Sequence, residues 1–365
     1  MKNLRIAYVI NSVEGGGAAL PVPAIAQVLR DNGAQVKVFA LTGRDRRALP
    51  VIEAAGLEPL VRDGGEKDHI AATRWMVKEV QQWGATHIWT SLSRASILGL
   101  LIGPRLGLPV ISWQHAAFLK PWNARLLRGL QKRALLWVAD SFSVAELTAQ
   151  RLHVSADRLM TWPIYFADPA IPQARCWQAG EDIHIGSLGR LHPVKGYDVL
   201  IEALAKLKAE GFAPPAPLRI SLTGEGAERE RLIAQAAEAG LAGVHLPGYT
   251  DNSRGFLSSL HLYVQPSRSE GFCIAAHEAL TAGLPVIGSA VGEMRYSIND
   301  GENGMIVPPG DATALAARLA ELLADPVRMH KMGGAARAHM LDKFSKANFD
   351  AAGTAIIDYI RRASA

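Results

Sequence analysis

The chain has 365 residues, of which 49% are hydrophobic and 20% charged, with a formal net charge of +5. That length is more than one compact core usually holds, so two domains are expected. The composition excludes a disordered chain, no apolar run reaches bilayer length, and the charge is too mild for a nucleic-acid binder.

In chain order, "MKNLRIAYVINS" turns polar at Asn11 without a small-residue cleavage site, so it predicts a first strand, not a signal peptide, and a cytoplasmic protein. The strand runs into Gly15, Gly16 and Gly17, which would let backbone N–H groups approach an anion closely. The run is neither a dinucleotide-binding nor a Walker pattern, and a plain tight turn is the alternative. The apolar runs "AQVKVFA", "THIWTSL" and "LPVISW" alternate with helical patterns such as "AIAQVLRDNG", the grammar of a parallel sheet with crossover helices. His115 falls at the exit of "LPVISW", where a histidine can hydrogen-bond a sugar hydroxyl or shuttle a proton; a structural role is the alternative.

"KPWNARLLRGLQKRALLWVAD" then reads as a helix. Leu126, Leu127, Leu130, Ala134 and Trp137 fall on one face, and Arg125, Arg128, Lys132 and Arg133 lie near the other. It is either an ordinary packing helix or one that rests on an anionic membrane surface, which would make the protein peripheral.

The proline-rich "WPIYFADPAIPQARCWQAGED" predicts a linker over 164–181 between domains at 1–163 and 182–345, with a last helix at 346–365 crossing back. The second half repeats the alternation with "IHIGSL", "LRISLTG", "GVHLPGY", "LHLYVQPS" and "LPVIGS". The predicted class is α/β: two Rossmann-like, doubly wound domains facing across a cleft. Cys176 and Cys273 lack the number of a disulfide framework and the spacing of a metal site.

In "IGSLGRLHPVKGYDVL", Arg190 and Lys195 follow the carboxyl end of the second domain's first strand. Such a pair suits a diphosphate, the arginine gripping oxygens and the lysine acting as a mobile point charge. In "SRSEGFCIAAHEALTAGLPVIGS", Glu270 falls on a strand's exit loop and Glu278 about one turn into the next helix, with the amides from Gly271 to Ile274 at the helix N-terminus. The alternatives are a pair of solvated surface charges for Arg190 and Lys195, and a capping glutamate plus a solvated one for Glu270 and Glu278.

Together, "GGGA" at Gly15, His115, "GRLHPVKG", "LTGEGAERERL", Gly248 with Tyr249, the Glu270–Glu278 stretch and "NDGENGMIVPPGDATALAARLAELLADP" resemble the retaining glycosyltransferases of family four, which have the GT-B fold. The resemblance implies a nucleotide-diphosphate sugar as donor, UDP on family frequency, and a glycan or glycolipid acceptor, as in lipopolysaccharide or surface polysaccharide assembly. It implies no cofactor and no divalent ion, in keeping with the lack of any Asp-x-Asp triplet. By the same resemblance Arg190 and Lys195 hold the diphosphate and stabilise the leaving group, and Glu278 holds the ribose. Glu270 and the amides of Gly271, Phe272, Cys273 and Ile274 hold the donor sugar, and the backbone at Gly248 and Tyr249 reads the base. His115 approaches the transferred sugar, and Gly16 and Gly17 lie near the phosphate and acceptor. Cys273 departs from the family, which commonly has glycine there. A non-catalytic nucleotide-sugar binder and a GT-B epimerase are the competing readings.

Overall fold

The computed structural model describes residues 4–115 and 119–364 and divides the chain into two compact units. One takes the chain up to Tyr165 and again from Ala347; the other runs from Phe166 to Lys346.

The first unit is built on seven parallel strands: β1 (Leu4–Ser12), β2 (Ala34–Thr42), β3 (Leu60–Val61), β4 (His87–Ser91), β5 (Val110–Gln114), β6 (Leu136–Ala139) and β7 (Leu159–Thr161). Their order is β3-β2-β1-β4-β5-β6-β7. Every residue of β4 and β5 is buried, because helices cover both faces of the sheet, and this is why these strands read as unbroken apolar runs. Trp89, Trp113 and Trp162 cluster with ring centroids 5.1 to 6.1 Å apart, Trp113 and Trp162 stacked and Trp89 edge-on to both. The terminal helix Lys346–Ala363 closes over them, with Phe349 5.3 Å from Trp162. Gly353 allows that approach, since a Cβ there would come within 2.6 Å of the Trp162 ring.

The second unit holds six parallel strands: β8 (Ile183–Leu188), β9 (Leu218–Thr223), β10 (Val244–Gly248), β11 (Leu262–Gln265), β12 (Val286–Ser289) and β13 (Met305–Val307). They are ordered β10-β9-β8-β11-β12-β13. Ile185, Leu204, Leu222, Val264, Leu315 and Leu319 form part of its core. In both sheets the winding reverses beside the first strand, between β1 and β4 and between β8 and β11. In open parallel sheets ligands bind outside the carboxyl ends of the strands at that reversal.

One expectation needs correction. The helix read through Trp137 is shorter: it spans Pro121–Leu130, a single 3-10 turn follows at Gln131–Arg133, and Trp137 belongs to β6. Pairing of "LWVA" between β5 and β7 outweighs the helical spacing. Leu126 therefore faces solvent with Trp122, while Leu127 is buried. Strands β3, β7 and β13, each of two or three residues, were too short to read as apolar runs. In the proline-rich segment, Ala174 N–H donates to Ala282 O at 2.7 Å and Arg337 to Pro169 O at 2.8 Å, so residues from Phe166 onward pack with the second unit. No described helix is long and apolar enough to cross a membrane.

Candidate functional site

Arg190 and Lys195 leave the end of β8, and Glu270 leaves the end of β11, so both sides of the reversal in the second sheet contribute charge. Arg268 staples these exit loops together. The Arg268 N–H donates to Val194 O at 2.8 Å, and the Arg268 guanidinium grips Asp198 through bonds of 2.7 and 2.8 Å. Gly196 (φ +66°) permits the fit, because a Cβ there would stand 2.0 Å from Pro266 O.

The staple brings Lys195 Nζ to 2.7 Å from Glu270 Oε1. The two side chains are only 17% and 11% exposed. Burial opposes the charge on Lys195, but the adjacent Glu270 prevails and holds the ammonium above the ordinary lysine range. This corrects the expectation of a mobile point charge: Lys195 is half of a fixed, largely buried ion pair.

Glu270 is itself oriented from beneath. Ser267 Oγ donates to Glu270 Oε1 at 2.7 Å, Gln265 Nε2 donates to Ser267 Oγ at 2.8 Å, and the Tyr263 hydroxyl donates to Gln265 Oε1 at 2.9 Å. All three supporting side chains are fully buried. Tyr263 and Gln265 are two residues apart, so the alternation of β11 places them on one face, and Ser267, just past the strand's end, joins them through the Gln265 bond. That spacing was visible in "LYVQPS", and the sequence reading passed over it because polar residues on a buried strand had no partner to point to.

The helix Ile274–Thr281 follows, with its first amides at the Cys273 N-cap. Cys273 adopts φ +69°, ψ 66°, a left-handed conformation costly for any residue with a Cβ. That is the physical reason the family's usual glycine suits this position. Burial and the neighbouring Glu270 push the Cys273 thiol up, so it stays protonated and inert. Phe272 is buried, its ring 4.2 Å from the His277 ring. The Glu278 carboxylate makes no hydrogen bond or ion pair among the described residues. Its carboxyl is pushed up by burial, against the pull of Arg254. A half-buried carboxylate left without a partner can accept bonds from ligand hydroxyls. Arg190 is exposed and likewise unpaired among the described residues.

Gly248 ends β10, and Tyr249 beside it is exposed. A 670 Å³ groove beside β10, lined by Ile233, Leu241 and Pro247, shares no residue with Arg190, Lys195, Glu270 and Glu278. In the first unit, Gly15, Gly16 and Gly17 lie in the turn after β1, with Gly15 N–H donating to Asp45 Oδ1 at 3.0 Å. His115 follows β5 with its ring 2.7 Å from Ser91 Oγ and 3.3 Å from Asp140 Oδ2. Sequence reading singled out neither Ser91 nor Asp140.

The model for glycosyl transferases group 1 matches residues 177–339, and that for glycosyltransferase family 4 matches residues 15–164. The chain belongs to the family 4, group 1 glycosyltransferases. Among relatives of this glycosyltransferase, the D-inositol 3-phosphate glycosyltransferase of Acidothermus cellulolyticus is 26% identical, over 88% of this chain and 81% of that protein. The lipopolysaccharide core biosynthesis glycosyltransferase LpsE of Rhizobium meliloti is 29% identical over 44% of this chain and 45% of its own. The crystal structure of Anabaena Alr3699/HepE in complex with UDP-glucose superposes with a TM-score of 0.83 at 19% identity, covering 97% of this chain and 99% of that one. The GT-B fold expected for the chain is thereby established.

Proposed function

We propose that this glycosyltransferase moves a hexosyl unit from a UDP-sugar to a hydroxyl of a glycan or glycolipid, with retention of anomeric configuration and without a divalent ion. The observation that carries the reading is the Lys195–Glu270 pair at the reversal of the second sheet, with Arg190 on the exit loop of Lys195, Glu278 on the helix that follows Glu270, and both of their side chains unpaired among the described residues. A diphosphate set against Arg190 and Lys195 meets two cations, and the charge that grows on it as the glycosidic bond breaks is stabilised by groups already in place. Glu270 and the amides of Gly271, Phe272, Cys273 and Ile274 hold the donor sugar, Glu278 the ribose, and Gly248 with Tyr249 the base. His115 and the Gly15–Gly17 turn serve the transferred sugar and the acceptor.

In the step itself, the bond from the anomeric carbon to the diphosphate oxygen breaks with its electron pair leaving on the diphosphate. The acceptor oxygen bonds to the same face of that carbon, and its proton passes to the departing phosphate. No carboxylate nucleophile is required, which sets the site apart from a glycosidase pair. UDP-glucose bound to the Anabaena neighbour and the lipopolysaccharide role of the Rhizobium relative support a UDP-sugar donor and a surface-glycan acceptor.

The test is transfer from UDP-glucose, UDP-galactose and UDP-N-acetylglucosamine to lipopolysaccharide-core and lipid-linked acceptors, with the product anomer read by NMR and EDTA present in one arm. An α-linked product from an α-linked donor at full rate in EDTA is expected. An inverted product, or a rate lost in EDTA and restored by manganese, refutes the mechanism. Donor binding without transfer or hydrolysis favours a non-catalytic binder, and donor isomerisation without acceptor favours an epimerase.

The exposed Trp122 and Leu126 beside Arg125 and Arg128 suit contact with an anionic membrane, which would bring a lipid-anchored acceptor to the first unit. Flotation with anionic liposomes that is unchanged in Arg125→Glu/Arg128→Glu contradicts this.

A further inference from the structure

His115 has both ring nitrogens engaged within the first unit. Its Nε2 lies 2.7 Å from Ser91 Oγ at the end of β4, and its Nδ1 lies 3.3 Å from Asp140 Oδ2 just past β6. The His115 and Asp140 side chains are 5% and 4% exposed, so water competes little for either bond. The three residues come from adjacent strands whose register sets Ser91 opposite Trp113 and Gln114 opposite Ala139, so the sheet itself fixes their spacing. The Trp113 ring, with its centroid 5.2 Å away, backs the imidazole.

An ionised carboxylate can only accept, so a neutral His115 must carry its proton on Nδ1 to satisfy Asp140. Nε2 is then a lone-pair acceptor, filled here by the Ser91 hydroxyl. Among the described residues Asp140 Oδ1 is buried with no hydrogen-bond partner, a cost that a purely packing residue would not carry.

We propose that Asp140 is a positioning residue for the transfer reaction. It fixes the Nδ1–H tautomer of His115, so that Nε2 is presented as an acceptor which Ser91 yields to a substrate hydroxyl. The inference rests on the assignment of His115 to the substrate under the proposed function. Only hydrogen bonds are exchanged: the Ser91 O–H turns away, the substrate O–H donates in its place, and no proton changes owner. His115 is then a hydrogen-bond acceptor and not a proton shuttle.

The test combines two-bond 15N NMR of histidine-labelled, ligand-free protein, with His115 assigned from His115→Gln, and steady-state kinetics with UDP-sugar donors. The wild type should show Nδ1–H at neutral pH. Asp140→Asn should move His115 toward Nε2–H and lower kcat roughly tenfold or more, with donor KM within about twofold. Nε2–H in the wild type, or full kcat in Asp140→Asn, overturns the proposal. Should Asp140→Asn fail to fold, Ser91→Ala decides: it should keep Nδ1–H, and loss of that tautomer would put Ser91 in control instead. A wild type that neither binds nor turns over nucleotide sugars defeats the functional reading, while the spectra still decide the tautomer.

Discussion

Replacing Lys195 by methionine removes the cation but keeps much of the aliphatic stem, leaving the Glu270 carboxylate with Ser267 as its surviving hydrogen-bond donor of the two described. Breaking a fully buried ion pair from one side costs about 3–5 kcal/mol. Here the side chains keep 17% and 11% exposure and Ser267 still donates, so a cost of about 2–3 kcal/mol is expected for Lys195→Met. Glu270→Gln should cost less, because an amide oxygen still accepts from the ammonium. The double variant Lys195→Met/Glu270→Gln removes both charges, and its destabilisation should fall short of the summed singles by roughly 2 kcal/mol, within the range found for contacting residues. The sign with pH follows from the raised Lys195 pKa. The stabilisation is fully present below the unfolded lysine value of about 10.4 and is lost as pH rises through the folded one, so measurements at pH 7 capture all of it. Urea unfolding of the four proteins, followed by the transition that the single variants shift, supplies the cycle. A coupling near zero would refute the reasoning, since it would mean that the pair is not formed in solution.

Three further outcomes follow from the same geometry. Burial raises the Glu278 pKa, so ionising this carboxyl costs the folded protein stability as pH rises; Glu278→Gln should melt higher than wild type at pH 7 yet lose its stabilisation by UDP, and a lower melting temperature would count against the unpartnered carboxyl. At the left-handed Cys273, glycine is free of the strain that alanine keeps, so Cys273→Gly should be at least as stable as Cys273→Ala, reversing the usual order by about 1 kcal/mol in denaturant titration; alanine clearly ahead would contradict the assigned backbone. His87, His184 and His277 are buried and lowered from 6.5 to about 4, so stability should hold above pH 6.5 and fall between pH 6.5 and about 4 as the unfolded chain takes up protons that the folded one refuses. Urea midpoints at pH 7.5, 6 and 4.5 check this, and a flat profile would mean that these rings are solvated.

What could be read from the sequence was what periodicity and punctuation carry. β1, β2, β4 and β5, and their counterparts β8 to β12, were legible because each is an apolar run closed by a loop signal, and the site residues because they sit just past such runs. β6 was hidden inside an apparent amphipathic helix, since "ALLWVAD" satisfies helical spacing until strand pairing with β5 and β7 overrides it. Lys195 looked like a free cation because its partner Glu270 lies 75 residues away and meets it only through the Arg268 staple. The supports under the site were illegible for the same reason. Ser267 and Gln265 matter through what they touch, and Asp140 matters only because adjacent strands carry it to His115.

The central claim, that the reversal of the second sheet binds a nucleoside diphosphate, is tested most directly by calorimetric titration of UDP into the wild type and Arg190→Ala. Arg190 is exposed and unpaired among the described residues, so its removal should leave the melting temperature unchanged and isolate the ligand contact. The account expects UDP to bind the wild type and the variant to bind it roughly tenfold or more weakly, the cost of one charge-assisted contact. Equal affinity in both proteins, or no binding of UDP, GDP or ADP to the wild type, would contradict it.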